Sequence, residues 1–184
     1  MVDIIQAQRQ QVVKAVPLGF GETTITLAAP AERLSLRAKE DAVAGLSNAL
    51  GLSLPVKPKT SASNGTRHAL WLGPDEWLVI DTASNGLLSA LSGVESLHSS
   101  TDVSHRNNAF IVKGPKAAET INAGCPLNLS LTAFPVGACT RTIFGKAEIV
   151  LLRVSEDEFR VECWRSFVEF VQGLLIEGAK DASL

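Results

Sequence analysis

Asp102, Ser104 and His105 are the residue types of a hydrolase triad crowded into one short stretch, and that chemistry requires the serine hydroxyl and the imidazole to meet. In an extended segment they do not: alternation puts Asp102, Ser104 and Arg106 on one face and His105 on the other. No G-x-S-x-G turn is present to expose the serine. The better reading is a capped turn in which Asp102 and Ser104 bond backbone amides while Arg106 reaches a carboxylate or a partner. A metal needs three or four converging ligands, yet His68, His98 and His105 lie in separate segments with no H-x-x-x-H pair among them. Cys125, Cys139 and Cys163 are widely spaced and form no C-x-x-C, so they read as reduced, buried thiols. The carboxylates Asp75-Glu76 and Glu156-Asp157-Glu158 fall in predicted hairpin turns, where solvation explains them better than acid–base work. Gly19-Phe20-Gly21 resembles the start of a dinucleotide fingerprint, but Thr24 stands where a third small residue belongs, and a tight turn is the simpler reading. No catalytic, cofactor-binding or metal-binding residue is expected in this chain.

The elements that position these residues follow from periodicity. A chain of 184 residues, 46% hydrophobic, with a formal net charge of -2 and scattered signs, can bury a full core and offers no basic stripe for nucleic acid. Residues 1–32 read as an extended N-terminal arm with one short strand. Leu34 and Leu36 alternate with Ser35 and Arg37 as in a half-buried strand, and a helix is predicted from Glu40-Asp41 to a stop at Gly51, with Val43, Leu46 and Leu50 inward. Residues 57–67 (KPKTSASNGTR) read as a surface loop. A hairpin follows, residues 69–72 and 77–80 about a Pro74-Asp75 turn, then a short helix near residues 86–91. From Thr101 a polar loop enters a strand that stops at Gly114-Pro115, where Pro115 starts a helix and Gly124 reads as its left-handed cap. Strands are expected over 139–144, 147–154 and 159–163. The last helix carries Trp164, Phe167, Val168, Val171, Leu174 and Leu175 on one stripe and ends at Gly178.

Strand, helix, strand, strand, helix thus occurs twice. We expect an α+β fold of two ferredoxin-like split units, with an arm at 1–32, a first half at 33–98, a second at 99–178 and a tail at 179–184. Residues 1–9 show no basic run followed by an apolar one, and no apolar window approaches the roughly 20 residues needed to cross a bilayer. A soluble cytoplasmic protein is expected. In a chain with no tyrosine, Trp71, Trp77 and Trp164 are core anchors or interface anchors.

The motifs TDVSHRN at 101–107 with Gly114-Pro115, NAGCPL at 122–127, FPVGACTRT at 134–142, GKAE at 145–148 and CWRSF at 163–167 resemble the gamma subunit of heterotetrameric sarcosine oxidase. The 102–105 motif with Gly114-Pro115 is also similar to the folate-binding aminomethyltransferase of the glycine cleavage system, to which that subunit is distantly related in fold. The resemblance implies one compact aminomethyltransferase-like domain acting as a non-catalytic assembly subunit. The enzyme it implies oxidises sarcosine to glycine with hydrogen peroxide and a one-carbon unit, formaldehyde or methylene-tetrahydrofolate. FAD, FMN, NAD, tetrahydrofolate and zinc would sit on other subunits, and the partners would be alpha and beta, with delta in the same complex. The isolated chain is expected to self-associate if its partner surface is left bare. On that reading Arg106, Arg141, Trp164, Arg165 and Trp77 are the interface candidates, because Arg and Trp dominate interface energetics. The alternatives are a free-standing folate-binding one-carbon transferase or folate-binding module, and a binding module for some other partner.

Overall fold

The computed structural model describes residues 13, 17–83 and 86–184; the rest of the expected N-terminal arm lies outside the described residues. Two strands, β1 (Leu18–Phe20) and β2 (Thr23–Leu27), form a hairpin where one strand was expected. Its turn uses Gly21 at φ 55. β3 (Glu32–Ala38) leads through a 3-10 turn at Glu40–Ala42 into α1 (Val43–Leu50), which Gly51 closes in the left-handed region as predicted. β4 (Ser61–Asn64), β5 (Arg67–Gly73) and β6 (Glu76–Asp81) follow, then α2 (Leu87–Ala90) and β7 (His98–Asp102). The second half is β8 (Asn107–Lys113), α3 (Ala117–Asn122), β9 (Cys139–Phe144), β10 (Ala147–Ser155), β11 (Glu158–Trp164) and α4 (Val168–Ala182).

The strands form two antiparallel sheets, ordered β4-β5-β6-β3-β7 and β1-β2-β8-β11-β10-β9. Period-two alternation gives strands such as β6, β8 and β11 two buried faces. On one face of the first sheet, Leu34, Leu36, Ala69, Trp77 and Val79 pack with Leu46, Leu50, Leu87 and Leu91 of the helical side. On one face of the second, Phe110, Val112, Ile149, Leu151, Phe159 and Val161 pack with Ile121, Val168, Val171 and Leu175. The opposite faces meet each other through Leu70, Leu78, Ile80, Val103, Cys139, Val150 and Leu152. The result is four layers, helix, sheet, sheet, helix, and the fold is α+β. Among the described residues no helix is long and apolar enough to cross a membrane.

Several sequence expectations change. Within the predicted loop 57–67 lies β4, a polar edge strand: with a neighbour on one side only, it needs no apolar alternation. β7, residues His98–Asp102, pairs with β3 and belongs to the first sheet. Gly124 is not in the left-handed region; a Cβ there would stand 2.8 Å from Leu174 and from Phe144, so glycine is required by close approach. α4 runs past Gly178, because that glycine lets α3 approach: a Cβ would come within 2.4 Å of the Thr120 carbonyl oxygen. Trp164 ends β11 instead of opening the last helix's stripe.

Candidate functional site

The β7–β8 connection forms a turn, so the trio that opened the sequence analysis does not lie on an extended strand. The Ser104 backbone N–H donates to Asp102 Oδ1 at 2.8 Å, and the Ser104 hydroxyl donates to the same oxygen. Ser104 Oγ in turn accepts from the Arg33 backbone N–H at 2.9 Å. The hydroxyl is buried and fully engaged in tying β3 to the turn, while His105 points outward on the exposed side. This is the capped turn expected from the sequence. Arg106, however, reaches the Trp164 ring, 5.4 Å from its centroid, and the Asn107 side-chain oxygen at 3.2 Å; no carboxylate ion pair of Arg106 occurs among the described residues.

Behind the turn, charged side chains join the sheets. Arg33 of β3 donates through Nε to Glu162 Oε2 of β11 at 2.7 Å, and Arg160 donates through Nε to Glu162 Oε1 at 2.8 Å. Arg33 is 2% exposed and Glu162 1%. Two guanidinium groups share one carboxylate, so the cluster carries a net positive charge, and Arg160 Nη2 is buried without a hydrogen-bond partner. His68, on β5, has its pKa lowered by burial and then by the Arg160 charge. Sequence reasoning missed this cluster, because Arg33, Arg160 and Glu162 alternate with apolar neighbours as solvent-facing residues do.

A groove of about 340 Å³ opens at one end of the sheet–sheet junction, lined among others by Arg37, Glu76, Arg106, Arg141, Glu148 and Trp164. Glu76 sits at its centre: Arg141 donates to it through Nη2 at 2.5 Å and Nη1 at 3.3 Å, and Arg37 through Nη2 at 3.0 Å. Arg141 and then Arg37 hold the Glu76 carboxyl below its ordinary range against the cost of its partial burial. Of the five interface candidates, Arg106, Arg141, Trp164 and Trp77 line this groove, and Arg165 lines a small pocket beside it. Trp77 must be corrected: it is 1% exposed, packs among the core residues of the first sheet and donates its indole N–H to the Pro55 carbonyl at 2.7 Å. It is an anchor of the core. Trp164 is 40% exposed and Arg106 and Arg165 are exposed. The three cysteines are free and buried, and burial pushes the Cys139 and Cys163 thiols up to about 12.

This sequence and fold have counterparts among known proteins. Residues 35–182 match the model of the "Sarcosine oxidase, gamma subunit family". The chain belongs to that family. The sarcosine oxidase gamma subunit of Corynebacterium sp. strain U-96 is 30% identical over 170 residues, covering 89% of this chain and 83% of that one. Its namesake from Arthrobacter sp. is 33% identical over 124 residues, covering 64% and 60%. Among solved structures, a chain of the heterotetrameric sarcosine oxidase from Corynebacterium sp. U-96, in complex with pyrrole 2-carboxylate, superposes with a TM-score of 0.84 at 28% identity, over 91% of this chain and 88% of that one. The glycine cleavage system aminomethyltransferase T of Bartonella henselae gives a TM-score of 0.63 at 13% identity, over 87% of this chain and 49% of that one. That second likeness is one of fold. In this member of the gamma subunit family, Asn107 lines both the groove and the small pocket that holds Arg165, with the Arg106–Trp164 stack on the groove.

Proposed function

We propose that this chain is the gamma subunit of a cytoplasmic heterotetrameric sarcosine oxidase, and that within it the chain is an assembly subunit with no catalytic step of its own. The observation that carries the reading is the similarity in sequence and fold along nearly the whole chain to a subunit of that enzyme. The non-catalytic part rests on the side chains themselves: the Ser104 hydroxyl is committed to Asp102 and Arg33, and the thiols are buried and hard to ionise. The oxidation of sarcosine to glycine, hydrogen peroxide and a one-carbon unit, with its flavins, nicotinamide dinucleotide, tetrahydrofolate and zinc, then belongs to the alpha, beta and delta partners. The paired charges that line the groove here fit a pterin poorly, because Arg37, Arg141 and Glu76 already satisfy one another.

We also read each sheet with its helices as a split βαβ unit. In the first unit the order β7-β3-β6-β5 follows β3, α1, β5, β6, α2, β7 along the chain. In the second, β8, β11 and β10 hold the equivalent places, and the position beside β8 is filled by β2 from the N-terminal hairpin. The boundary between the units then falls after Asp102, and the described part of the N-terminal arm belongs to the second unit.

Coexpression of an affinity-tagged copy with the alpha and beta subunits of the same enzyme tests the assembly reading. Both should copurify with the tagged chain in equal amounts, and the complex should consume sarcosine. A chain recovered alone at micromolar concentration would sink it.

A further inference from the structure

A small pocket lies where the chain crosses between the two sheets, lined by residues 28–30 and by Arg33, Ser104, His105, Asn107, Asn108 and Arg165. Its volume is about 30 Å³, room for roughly two water-sized groups, which is what the two oxygens of a carboxylate occupy. The lining holds two guanidinium groups, an imidazole and two carboxamides, and no acidic side chain.

Two of these groups are buried with donors to spare. Arg33, 2% exposed, uses Nε on Glu162 and Nη1 on the Ala31 carbonyl at 3.1 Å; among the described residues its Nη2 donates to nothing. Asn107, 7% exposed, has its side-chain oxygen taken by the Arg106 Nε donor, and no hydrogen bond from its NH2 is formed among the described residues. The charge balance points the same way. Arg33 and Arg160 divide one carboxylate between them, and a buried excess of positive charge is stabilised by an anion held with good hydrogen-bond geometry.

We propose that this pocket is a carboxylate receptor that seats one Asp or Glu side chain of a partner subunit. The proposal rests on the assembly reading above. The incoming carboxylate accepts from Arg33 Nη2 and Asn107 Nδ2, Arg165 closes the rim, and the exposed Arg106–Trp164 stack packs beside it as the surrounding contact. The pocket is too small for a whole amino acid, which favours a side chain delivered by a docked protein. Such a buried charge-assisted contact contributes mainly to residence time, while the exposed arginines speed encounter.

The test uses the coexpressed complex. Asn107→Asp places a carboxylate inside the pocket and neutralises it from within, and Arg165→Glu reverses the charge at the rim. Each should weaken capture of the partners by roughly 30-fold or more, while Lys180→Glu on α4 should leave capture as in the wild type. Thermal melting of each isolated variant checks folding; Arg165→Glu, at an exposed site, keeps the test decisive if Asn107→Asp melts early. Assembly of both variants at wild-type strength overturns the proposal. If sodium acetate raises the melting temperature of the isolated wild type but not of Asn107→Asp, and both variants still assemble normally, the pocket serves a free small carboxylate and the docking role is overturned. Failure of the wild-type chain to assemble at all refutes the gamma-subunit reading instead.

Discussion

Glu76 meets Arg141 through both terminal nitrogens and Arg37 through one, and its carboxyl is only 12% exposed while the arginines are 37% and 57% exposed. Partners that open to solvent keep the net contribution of such a pair below about 1 kcal/mol. Its sign with pH is fixed all the same. The folded pKa lies below the ordinary value of 4.5, so the stabilisation is complete above that value and is lost as pH falls through the folded pKa. Glu76→Gln should therefore melt below the wild type near neutrality, and the gap should close as the pH falls below 4.5 and on through the lowered folded pKa. Melting curves at a series of pH values check this; a gap that widens on acidification contradicts it. The residue types of this network were visible in the sequence as solvated turn carboxylates and a candidate interface arginine. What was not visible is that the arginine of β9 and the carboxylate of β6 face each other, because the two strands lie in different sheets.

At the scale of elements, the glycines report where backbones touch. Gly178 in α4 lies against the Thr120 carbonyl of α3, and a Cβ would intrude to 2.4 Å, with Ala123 at 2.9 Å. Neither neighbour is the end of a flexible side chain, so the helices must separate. Gly178→Ala should cost about 1–3 kcal/mol, although alanine is the better helix former. Urea unfolding of the two proteins measures the difference, and a stabilised variant would mean that α3 and α4 are not in close contact. From the sequence alone Gly178 reads as a helix end, since an isolated glycine near a polar tail is the usual stop signal. Close packing overrode that signal. The same force accounts for Gly124, whereas Gly51 ends α1 for the conformational reason the sequence suggested.

For the whole molecule, the junction of the sheets is the feature that matters. It combines an apolar patch centred on Leu70, Ile80, Val150 and Leu152 with the Arg33–Glu162–Arg160 cluster. Removing the shared carboxylate leaves two buried guanidinium groups unneutralised. Glu162→Gln should lower stability by about 3–5 kcal/mol, measured by urea unfolding followed by tryptophan fluorescence. Trp77 in the first sheet and Trp164 in the second should report one common transition in the wild type. A loss under about 1 kcal/mol would mean that the apolar patch alone joins the sheets. The carboxylate pocket and the exposed Arg106–Trp164 stack sit at this junction, so the surface offered to partners is built from both halves of the chain.

Local pattern by itself determined most of the elements: the β5–β6 hairpin, the Gly51 cap, the strands from residue 139 onward and the apolar stripe of the last helix. These depend on periods of two and 3.6 residues and on turn chemistry, which act over a few positions. It also determined the capped turn at Asp102 and Ser104, because those side chains bond within reach of their own backbone. Only the tertiary structure decided that the second face of each sheet is covered by the other sheet. Alternating polar residues such as Arg33, Arg160 and Glu162 look solvated along a strand, and their burial depends on partners more than a hundred positions away. The same long-range pairing put Trp77 in the core, left Trp164 at the surface and opened the pocket between Arg33 and Asn107.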